Sequence, residues 1–379
     1  MTQTKVYFPN LDGWRFVAFF AVFYHHSFSS QLIAITDTPN YKLLKSTTAN
    51  GELGVDFFFV LSGFLIIFLL ITEKQTTGRI DLKSFYVRRV LRIFPLYYLC
   101  LFFGFIIFPI LKTTFGSVPN ETADPLKYLF FLSNLDIVAK EALPDSGVLG
   151  ILWSVAIEEQ FYLIIPLILI SIPVRYFPTV FVVVLVASWI LRAQNIDSYY
   201  FIKFHTFASI GNLAVGGLIA YYSATKERFV AFFEDINPFL IGTCYLLVVT
   251  VLVFRDDIFA TPAMKTFEAS IIAALFAIII LEQNHAKRSL FKMSNNRLFT
   301  KLGKYTYGLY CLHLLAALIV LRITAKLGLN TQLWQVVFIE MPLMFLLSIG
   351  LAYLSYELYE KRFLRLKSRF SVITKGGNV

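Results

Sequence analysis

The chain has 379 residues, of which 57% are hydrophobic and only 15% are charged, and its formal net charge is +10. This composition excludes an ordinary soluble globular protein and indicates a protein that crosses a membrane several times. The basic residues flank apolar segments instead of forming one continuous surface, which argues against a nucleic-acid-binding protein.

Ten apolar segments are predicted to span a bilayer as helices. They cover residues 13–34, 54–72, 94–111, 150–171, 177–192, 205–222, 236–254, 264–281, 303–323 and 334–356. We therefore expect an all-α fold, a polytopic transmembrane helical bundle that forms one domain over residues 1–379, with a tail from about residue 357. Loops on one side of these segments carry roughly twice as many basic residues as loops on the other, so both termini are predicted to be cytoplasmic.

The first segment, LDGWRFVAFFAVFYHHSF, carries ionisable side chains within an apolar stretch. Arg15 and His26 are eleven residues apart, which corresponds to about three helical turns plus 20°. They therefore share one face of a helix about 16 Å apart, whereas His25 is rotated about 80° from that line. Ionisable groups within a bilayer are costly, so each is a candidate functional residue.

The second segment contains the stretch GVDFFFVLSGFLI. Gly54, Ser62 and Gly63 are small, and small residues allow membrane helices to pack closely. Asp56 lies near the outer end of this segment. It either forms a hydrogen bond at the interface or orients an arginine or a histidine.

Three arginines precede the third segment in the stretch FYVRRVLRIFPLYY. The spacing of Arg88, Arg89 and Arg92 crowds them onto one side of a helix, and Pro95 follows where it can start or kink the span. Two interpretations remain open. The arginines are either an ordinary positively charged cytoplasmic flank or a site for a ligand with several phosphates, because guanidinium groups bind phosphate through paired hydrogen bonds.

The longest outer loop covers residues 112–149, and its DPLKYLFFLSNL stretch is predicted to form one short amphipathic helix. In the fourth segment, Glu158 and Glu159 point about 100° apart on a helix. At least one of them needs a partner, because an unpaired buried charge is costly. Trp153 and Tyr162 fit either an interfacial aromatic belt or a face on which a sugar stacks.

His313 lies within the ninth segment, in the stretch YTYGLYCLHL. A buried histidine of this kind is more often a hydrogen-bonded packing residue than a ligand. Glu357 and Glu360 adjoin basic residues and are interpreted as part of a local ion-pair cluster. The histidines and cysteines show no metal-ligand spacing, so no metal site is expected.

Five blocks occur in order along the chain: LDGWRFVAFFAVFYHH, GVDFFFVLSGFLI, RRVLRIFPLYY, LWSVAIEEQFY and YGLYCLHL. Together they resemble the acyltransferase-3 family of integral membrane O-acyltransferases. The resemblance implies an enzyme of the inner (plasma) membrane that moves an acyl group, often acetyl, from cytoplasmic acyl-CoA to a hydroxyl of a carbohydrate or glycoside. The implied partners are membrane lipid, acyl-CoA and that acceptor, with no tightly bound cofactor.

The resemblance also implies roles for individual residues. His26 matches the family's catalytic histidine and acts as a general base or as an acyl carrier. Arg15 is expected either to hold an anionic part of the donor or to stabilise developing negative charge, and Glu158 is expected to orient the imidazole. The remaining implied site residues are Arg88, Arg89 and Arg92 for the phosphates of acyl-CoA, and Asp56, Trp153, Glu159 and His313 for the acceptor. One departure from the family pattern is Trp14, where many relatives have an aliphatic residue.

A secondary transporter or exporter of a glycolipid or an acyl group is the main alternative, because proton-coupled carriers also bury charges and histidines. The sequence lacks the paired broken helices in corresponding halves that are typical of such carriers. A structural scaffold with decayed motifs is a weaker third hypothesis, since the arginine and histidine set is intact.

Overall fold

The computed structural model describes residues 7–28, 30 and 32–370, and every regular element in that part of the chain is helical. The prediction of an all-α fold is confirmed. Ten helices correspond to the ten predicted segments: α1 (Pro9–Ser27), α2 (Leu53–Thr77), α3 (Leu82–Phe102), α4 (Leu152–Ile170), α5 (Phe177–Gln194), α6 (Thr206–Thr225), α7 (Pro238–Val253), α8 (Pro262–His285), α9 (Thr306–Leu327) and α10 (Met341–Ser355).

The length and apolarity of these helices indicate a multi-pass membrane protein. Among the described residues, eight helices are long and apolar enough to cross a membrane, and a ninth is added if Glu227–Glu234 and α7, which are bent by 92°, count as one span. The first helix, α1, is outside this set because Asp12, Arg15 and two histidines lower its mean hydropathy. The chain thus forms a polytopic helical bundle, and α1 carries more ionisable residues than an ordinary membrane-spanning helix.

Shorter helical elements connect or extend the ten helices. The α-helical ones are Ile33–Thr36, Pro39–Thr47, Phe108–Thr114, Pro125–Leu129, Ser133–Lys140, Gly147–Gly150, Tyr199–Phe204, Glu227–Glu234, Arg255–Ile258, Arg297–Gly303, Leu333–Gln335 and Lys361–Lys367. The π-helical turns are Phe103–Ile107, Val336–Glu340 and Tyr356–Glu360. The 3₁₀ turns are Ala49–Glu52, Val174–Tyr176, Met293–Asn295 and Ser368–Phe370.

The third helix begins well before the apolar segment that predicted it. Asp81 caps its first turn by accepting a hydrogen bond from the Ser84 backbone N–H at 3.0 Å, and this bond lowers the pKa of Asp81. The helix then continues through Pro95 instead of starting there. The three arginines at positions 88, 89 and 92 therefore lie within α3 and not on a flank that precedes it.

The loop between α3 and α4 also differs from the prediction of one amphipathic helix. Two short helices form, Pro125–Leu129 and Ser133–Lys140. Residues 130–132 separate them, and the φ of Phe131 in this gap, 56°, lies in the left-handed region. A residue with that φ cannot continue a right-handed helix, so the predicted single helix is divided at this point.

Asp136 holds this loop segment together. Its carboxylate binds the ammonium groups of Lys127 and Lys140, each at 2.9 Å. Burial would raise the pKa of Asp136, but the hydrogen bonds from the Asp124 backbone N–H and from the two lysines lower it below its ordinary value. The Asp136 carboxylate is therefore ionised and paired at neutral pH.

Glycines set the close packing of the helices around α2. A Cβ at Gly63 would lie 2.1 Å from the carbonyl oxygen of Leu213 on α6, and a Cβ at Gly216 would lie 2.1 Å from that of Val60 on α2. A Cβ at Gly54 would lie 2.3 Å from a backbone oxygen of α1. Small residues permit such approaches between membrane helices. The helix α2 is thus fixed against both α1 and α6.

Candidate active site

Two histidines from distant parts of the chain meet between α1 and α9. His26 Nδ1 lies 2.9 Å from His313 Nε2, and the two rings stack with their centroids 5.1 Å apart. His313 is 1% exposed, whereas His26 is only half-buried. The other ring nitrogen of His313 lies 2.7 Å from the carbonyl oxygen of Tyr310. We call His26 and His313 the histidine pair.

The neighbouring histidine of α1 points elsewhere. His25 Nδ1 lies 2.9 Å from the carbonyl oxygen of Thr48, which follows a short helix outside the α1–α9 contact. Consecutive residues on a helix point about 100° apart, so only one of two adjacent histidines can face α9. His26 is that residue.

A stripe of polar side chains runs along α4. Ser154, Glu158 and Tyr162 are spaced four residues apart, so they lie on one face over about 12 Å of the helix. Ser154 Oγ lies 2.6 Å from the hydroxyl of Tyr310. Glu158 accepts hydrogen bonds from Ser62 at 2.7 Å and from Tyr162 at 3.3 Å. We call Ser154, Glu158 and Tyr162 the polar stripe.

The hydrogen bonds of Glu158 do not extend to the imidazole that it was expected to orient. Both of its carboxylate oxygens bind hydroxyl groups, and within the described ranges Glu158 forms no hydrogen bond with His26. The side chain that does hydrogen-bond to His26 is His313. The expected orienting role therefore fits His313 better than Glu158.

Arg89 lies at the far end of the polar stripe. Its guanidinium carbon is 5.1 Å from the ring centroid of Tyr162 and 5.7 Å from that of Phe85. In the part of the chain that the structure describes, neither Arg89 nor Arg92 forms an ion pair, and Arg89 Nε is buried without a hydrogen-bond partner. Arg92 is within electrostatic range of both Arg15 and Arg89. We call Arg15, Arg89 and Arg92 the arginine cluster.

Arg15 is neutralised within its own helix. It forms an ion pair with Asp12, three residues earlier, and the hydroxyl of Tyr7 donates to the other carboxylate oxygen at 3.0 Å. Burial and the charge of Asp12 raise the pKa of Tyr7 to about 12, so its hydroxyl remains a donor at neutral pH. Arg89 and Arg92 form no such ion pair in the described chain, although Glu158 lies within electrostatic range of both.

Arg88 is occupied by protein groups and does not join the other two arginines of α3. Its guanidinium lies 3.5 Å from the carboxylate of Glu73 on α2. It also donates to the carbonyl oxygen of Phe370 at 2.6 Å. These contacts connect α3 to α2 and to the end of the described chain. Arg88 therefore has a structural role and is not available to bind a ligand.

The other expected site residues are distributed around the bundle. Asp56 accepts a hydrogen bond from Asn212 at 2.6 Å, and the ring of Trp153 packs edge-on against that of Phe204. Glu159 has one carboxylate oxygen that is buried without a hydrogen-bond partner in the described chain. The structure shows no hydrogen bond between these three residues and the histidine pair, so their acceptor-binding role stays a prediction.

Comparison with known sequences identifies the family to which this chain belongs. Residues 8–357 match the acyltransferase-3 model, which is described as an acyltransferase domain. The chain belongs to the acyltransferase-3 family. The match includes both the histidine pair and the arginine cluster.

Relatives of this acyltransferase-3 chain occur in Staphylococcus aureus. A provisionally named O-acetyltransferase of strain COL is 29% identical over 332 residues, which cover 81% of this chain and 50% of that protein. The O-acetyltransferase OatA of strain NCTC 8325 is 33% identical over 195 residues, 48% of this chain and 28% of that protein. The chain thus spans about half the length of the first relative. No solved structure matches it significantly.

Some polar groups of this acyltransferase-3 site were missed by sequence reasoning. The sequence predicts helix packing for Ser62, fits Tyr162 to either an aromatic belt or a sugar-stacking face, and indicates no role for Tyr310. A usable signal was present in the spacing of Ser154, Glu158 and Tyr162, because polar residues four apart on a membrane helix face a common neighbour. No pattern in the sequence predicts that this face of α4 contacts Tyr310.

Proposed function

We propose that this protein is a membrane-embedded O-acyltransferase that moves an acyl group, with acetyl as the expected group, from acyl-CoA to a hydroxyl of a carbohydrate or glycoside. The observation that carries the proposal is the polar stripe of α4, which extends from Arg89 to the neighbour of the histidine pair, Tyr310. Family membership supports acyl transfer, and the names of the two relatives support acetyl as the group.

The arginine cluster is the proposed binding site for acyl-CoA. Arg89 and Arg92 have no carboxylate partner in the described chain, and guanidinium groups bind phosphate and other anions through paired hydrogen bonds. The distribution of basic residues predicts that this end of the bundle is cytoplasmic, in a plasma membrane whose inner face meets the acyl-CoA pool. Arg88 is left out of this site because Glu73 and Phe370 occupy it.

His26 is the proposed reacting group, and two routes are consistent with its position. In the first, its imidazole accepts the proton of the acceptor hydroxyl while that oxygen attacks the thioester carbonyl, and the departing CoA thiolate then takes the proton. In the second, the imidazole attacks the thioester and releases the CoA thiolate. The acyl-imidazolium then passes its acyl group to the hydroxyl, and the proton of that hydroxyl converts the CoA thiolate into the thiol.

The polar stripe has a proposed place in both routes. Glu158, Ser62 and Tyr162 offer hydrogen-bonding groups along a path between the arginine cluster and the histidine pair. A pantetheine arm contains amide groups, which need such partners inside an apolar bundle. The stripe would therefore hold the arm while the CoA phosphates remain among the arginines.

Purified protein in lipid vesicles provides the test. Radiolabelled acetyl-CoA is supplied with a panel of short oligosaccharides and alkyl glycosides, and both CoA thiol and labelled ester are measured. We expect His26→Ala to lower the rate at least about 100-fold, since a general base contributes roughly 10²–10⁴-fold. The matched variant His25→Ala should retain appreciable activity. In the unmodified protein the imidazole of His25 contacts Thr48 instead of α9.

Two results would contradict this proposal. An active His26→Ala variant beside an inactive His25→Ala variant would remove the proposed reacting group. Movement of label across the vesicle without release of CoA thiol would favour a carrier instead of an enzyme.

A further inference from the structure

The hydrogen bonds of the histidine pair determine where its protons are. A carbonyl oxygen accepts hydrogen bonds and cannot donate them, so the 2.7 Å contact between His313 Nδ1 and Tyr310 O requires a proton on Nδ1. A charged imidazolium that is 1% exposed and has no carboxylate partner in the described chain is costly. His313 is therefore neutral, and its Nε2 carries a lone pair.

The state of His313 dictates the state of His26. Because His313 Nε2 is an acceptor, the 2.9 Å contact requires that His26 Nδ1 donates. In a neutral imidazole the other nitrogen is then the unprotonated one. His26 Nε2 forms no hydrogen bond with the described residues, and His26 is half-buried where His313 is fully buried.

We infer that His313 is a positioning residue that holds His26 in the Nδ1–H tautomer, so that Nε2 is the nitrogen that reacts. The reaction assigned to Nε2 rests on the proposed function, whereas the tautomer follows from the hydrogen bonds alone. The backbone carbonyl of Tyr310, which α9 holds in place, accepts the hydrogen bond from His313 Nδ1 and so orients His313. Ring stacking between the two histidines then restricts rotation of His26.

The chain of contacts also has a consequence during the reaction. When Nε2 takes a proton or an acyl group, His26 becomes cationic and its Nδ1–H donates more strongly. His313 Nε2 is an uncharged acceptor already in place to stabilise that cation, in the way that an orienting group stabilises the imidazolium of a catalytic triad. His313 contacts neither the acyl group nor the hydroxyl in this arrangement.

Nitrogen NMR of the protein with ¹⁵N-labelled histidine tests the tautomer directly. The chain has five histidines, so the signals of His26 can be assigned by their loss in His26→Gln. Protonated and unprotonated ring nitrogens have well-separated shifts. We expect a protonated Nδ1 and an unprotonated Nε2 for His26 in the full chain reconstituted in lipid nanodiscs. A His26 signal with the proton on Nε2 would overturn the inference.

Variants of His313 test whether the tautomer matters for the rate. His313→Phe keeps a ring but removes the acceptor, and a wrong tautomer in a catalytic triad costs roughly 10⁴-fold in kcat. We expect kcat to fall about 100-fold or more, with the KM for acetyl-CoA unchanged because the arginine cluster is remote from His313. His313→Gln restores an acceptor oxygen and should recover part of kcat.

A matched control and two further outcomes complete the test. His205→Asn replaces a histidine that caps α6 with another good cap and should change neither the NMR signals of His26 nor kcat. An unchanged kcat in His313→Phe would overturn the positioning role while leaving the proposed function intact. An active His26→Ala variant would instead contradict the proposed function, whatever tautomer the NMR shows.

Discussion

Arg89 is a half-buried cation that packs between aromatic rings; Glu159 is within electrostatic range of it, but Arg89 forms no ion pair with a carboxylate in the described chain. Tyr162 and Phe85 flank its guanidinium, and its Nε has no hydrogen-bond partner in the described chain. Removing a guanidinium from water costs several kcal/mol unless the charge is compensated. Stacking on rings recovers only part of that cost. The arrangement therefore favours a bound anion as the missing partner of Arg89.

Replacing Arg89 should weaken binding of the acyl donor. Hydrogen bonds to charged groups contribute about 1.5–3 kcal/mol, so we expect Arg89→Gln to raise the KM for acetyl-CoA roughly 10- to 100-fold. Steady-state kinetics with the purified protein in lipid vesicles would measure this. The change in kcat should be smaller, because His26 is left in place.

Arg88→Gln is the matched control for this prediction. Arg88 is the sequence neighbour of Arg89, but its partners are Glu73 and Phe370. Its replacement should lower thermal stability and leave the KM for acetyl-CoA within about threefold of the unmodified protein. An equal rise in KM for both variants, or an unchanged KM in Arg89→Gln, would count against the arginine cluster as the donor site.

For single residues, the sequence predicts how side chains of one helix are oriented relative to each other. The eleven-residue spacing of Arg15 and His26 fixes their helical phase, and that phase distinguishes His26 from His25. The contact between His26 and His313 joins residues 287 positions apart. Such a contact depends on how α1 and α9 pack, which no local pattern encodes. For the same reason the partners of Arg88 were not foreseeable.

The packing of α2 against α6 depends on two glycines. Gly63 and Gly216 lie where a side chain would overlap the backbone of the facing helix, with a Cβ only 2.1 Å from a carbonyl oxygen in each case. Both neighbours are backbone atoms, which cannot rotate away as a side chain can. Because Ser62 adjoins Gly63 and binds Glu158, this packing also positions the polar stripe.

A larger residue at Gly63 should therefore destabilise the bundle. We expect Gly63→Val to lower the free energy of unfolding by about 3 kcal/mol or more, since overpacking in a core costs about 1–3 kcal/mol even when side chains can move. Thermal unfolding in detergent, followed by size-exclusion chromatography, measures the loss. Activity should fall with the folded fraction.

Gly350→Ala provides the comparison within α10. A Cβ at Gly350 would meet no atom within 4 Å, and alanine is favoured over glycine in a helix by about 1 kcal/mol. This variant should be as stable as the unmodified protein or slightly more stable. If Gly63→Val unfolded at the same temperature as Gly350→Ala, that result would contradict the close approach of α2 and α6 at Gly63.

Hydrophobic segments predicted the existence of the helices better than their ends. The apolar stretch that predicted α3 starts at residue 94, whereas the helix starts at Leu82, where Asp81 caps it. Polar residues at a helix start do not register as part of a membrane segment, although they continue the same helix. In the loop, the left-handed φ of Phe131 divides a predicted helix, and a bulky residue gives no local warning of that conformation.

The whole bundle places two sites at different depths along α1. Arg15 and His26 are about 16 Å apart along the helix axis, which is roughly half the thickness of a hydrocarbon core. Under the proposed function, the acyl group of a donor bound at the arginines has to span this distance inside the bundle to reach the histidine pair. The polar stripe of α4 contacts Arg89 through Tyr162 and Tyr310 through Ser154, so it connects the neighbourhoods of both sites.

Composition predicted the membrane bundle, the orientation inferred from charge stays a prediction, and the proposed internal route could not be predicted from either. Apolarity identifies most of the predicted spans, with α1 as the exception, and the bias of basic residues predicts which loops are cytoplasmic. The route depends on which faces of α1, α3, α4 and α9 meet. Each of these faces carries few polar residues, so the sequence does not indicate which faces pack together in the folded chain.

Arg15 of the arginine cluster and His26 are separated by about 16 Å along α1, so the proposed function implies that the donor enters at one end of the bundle and the acceptor at the other. Acyl transfer in oriented vesicles tests this central claim most directly. Radiolabelled acetyl-CoA is added only to the face that exposes the arginine cluster, and the oligosaccharide panel is sealed on the other side. We predict that labelled ester forms on the sealed oligosaccharides with the unmodified protein and not with His26→Ala. Ester that forms only when donor and acceptor share one side, or that still forms with His26→Ala, would contradict the account.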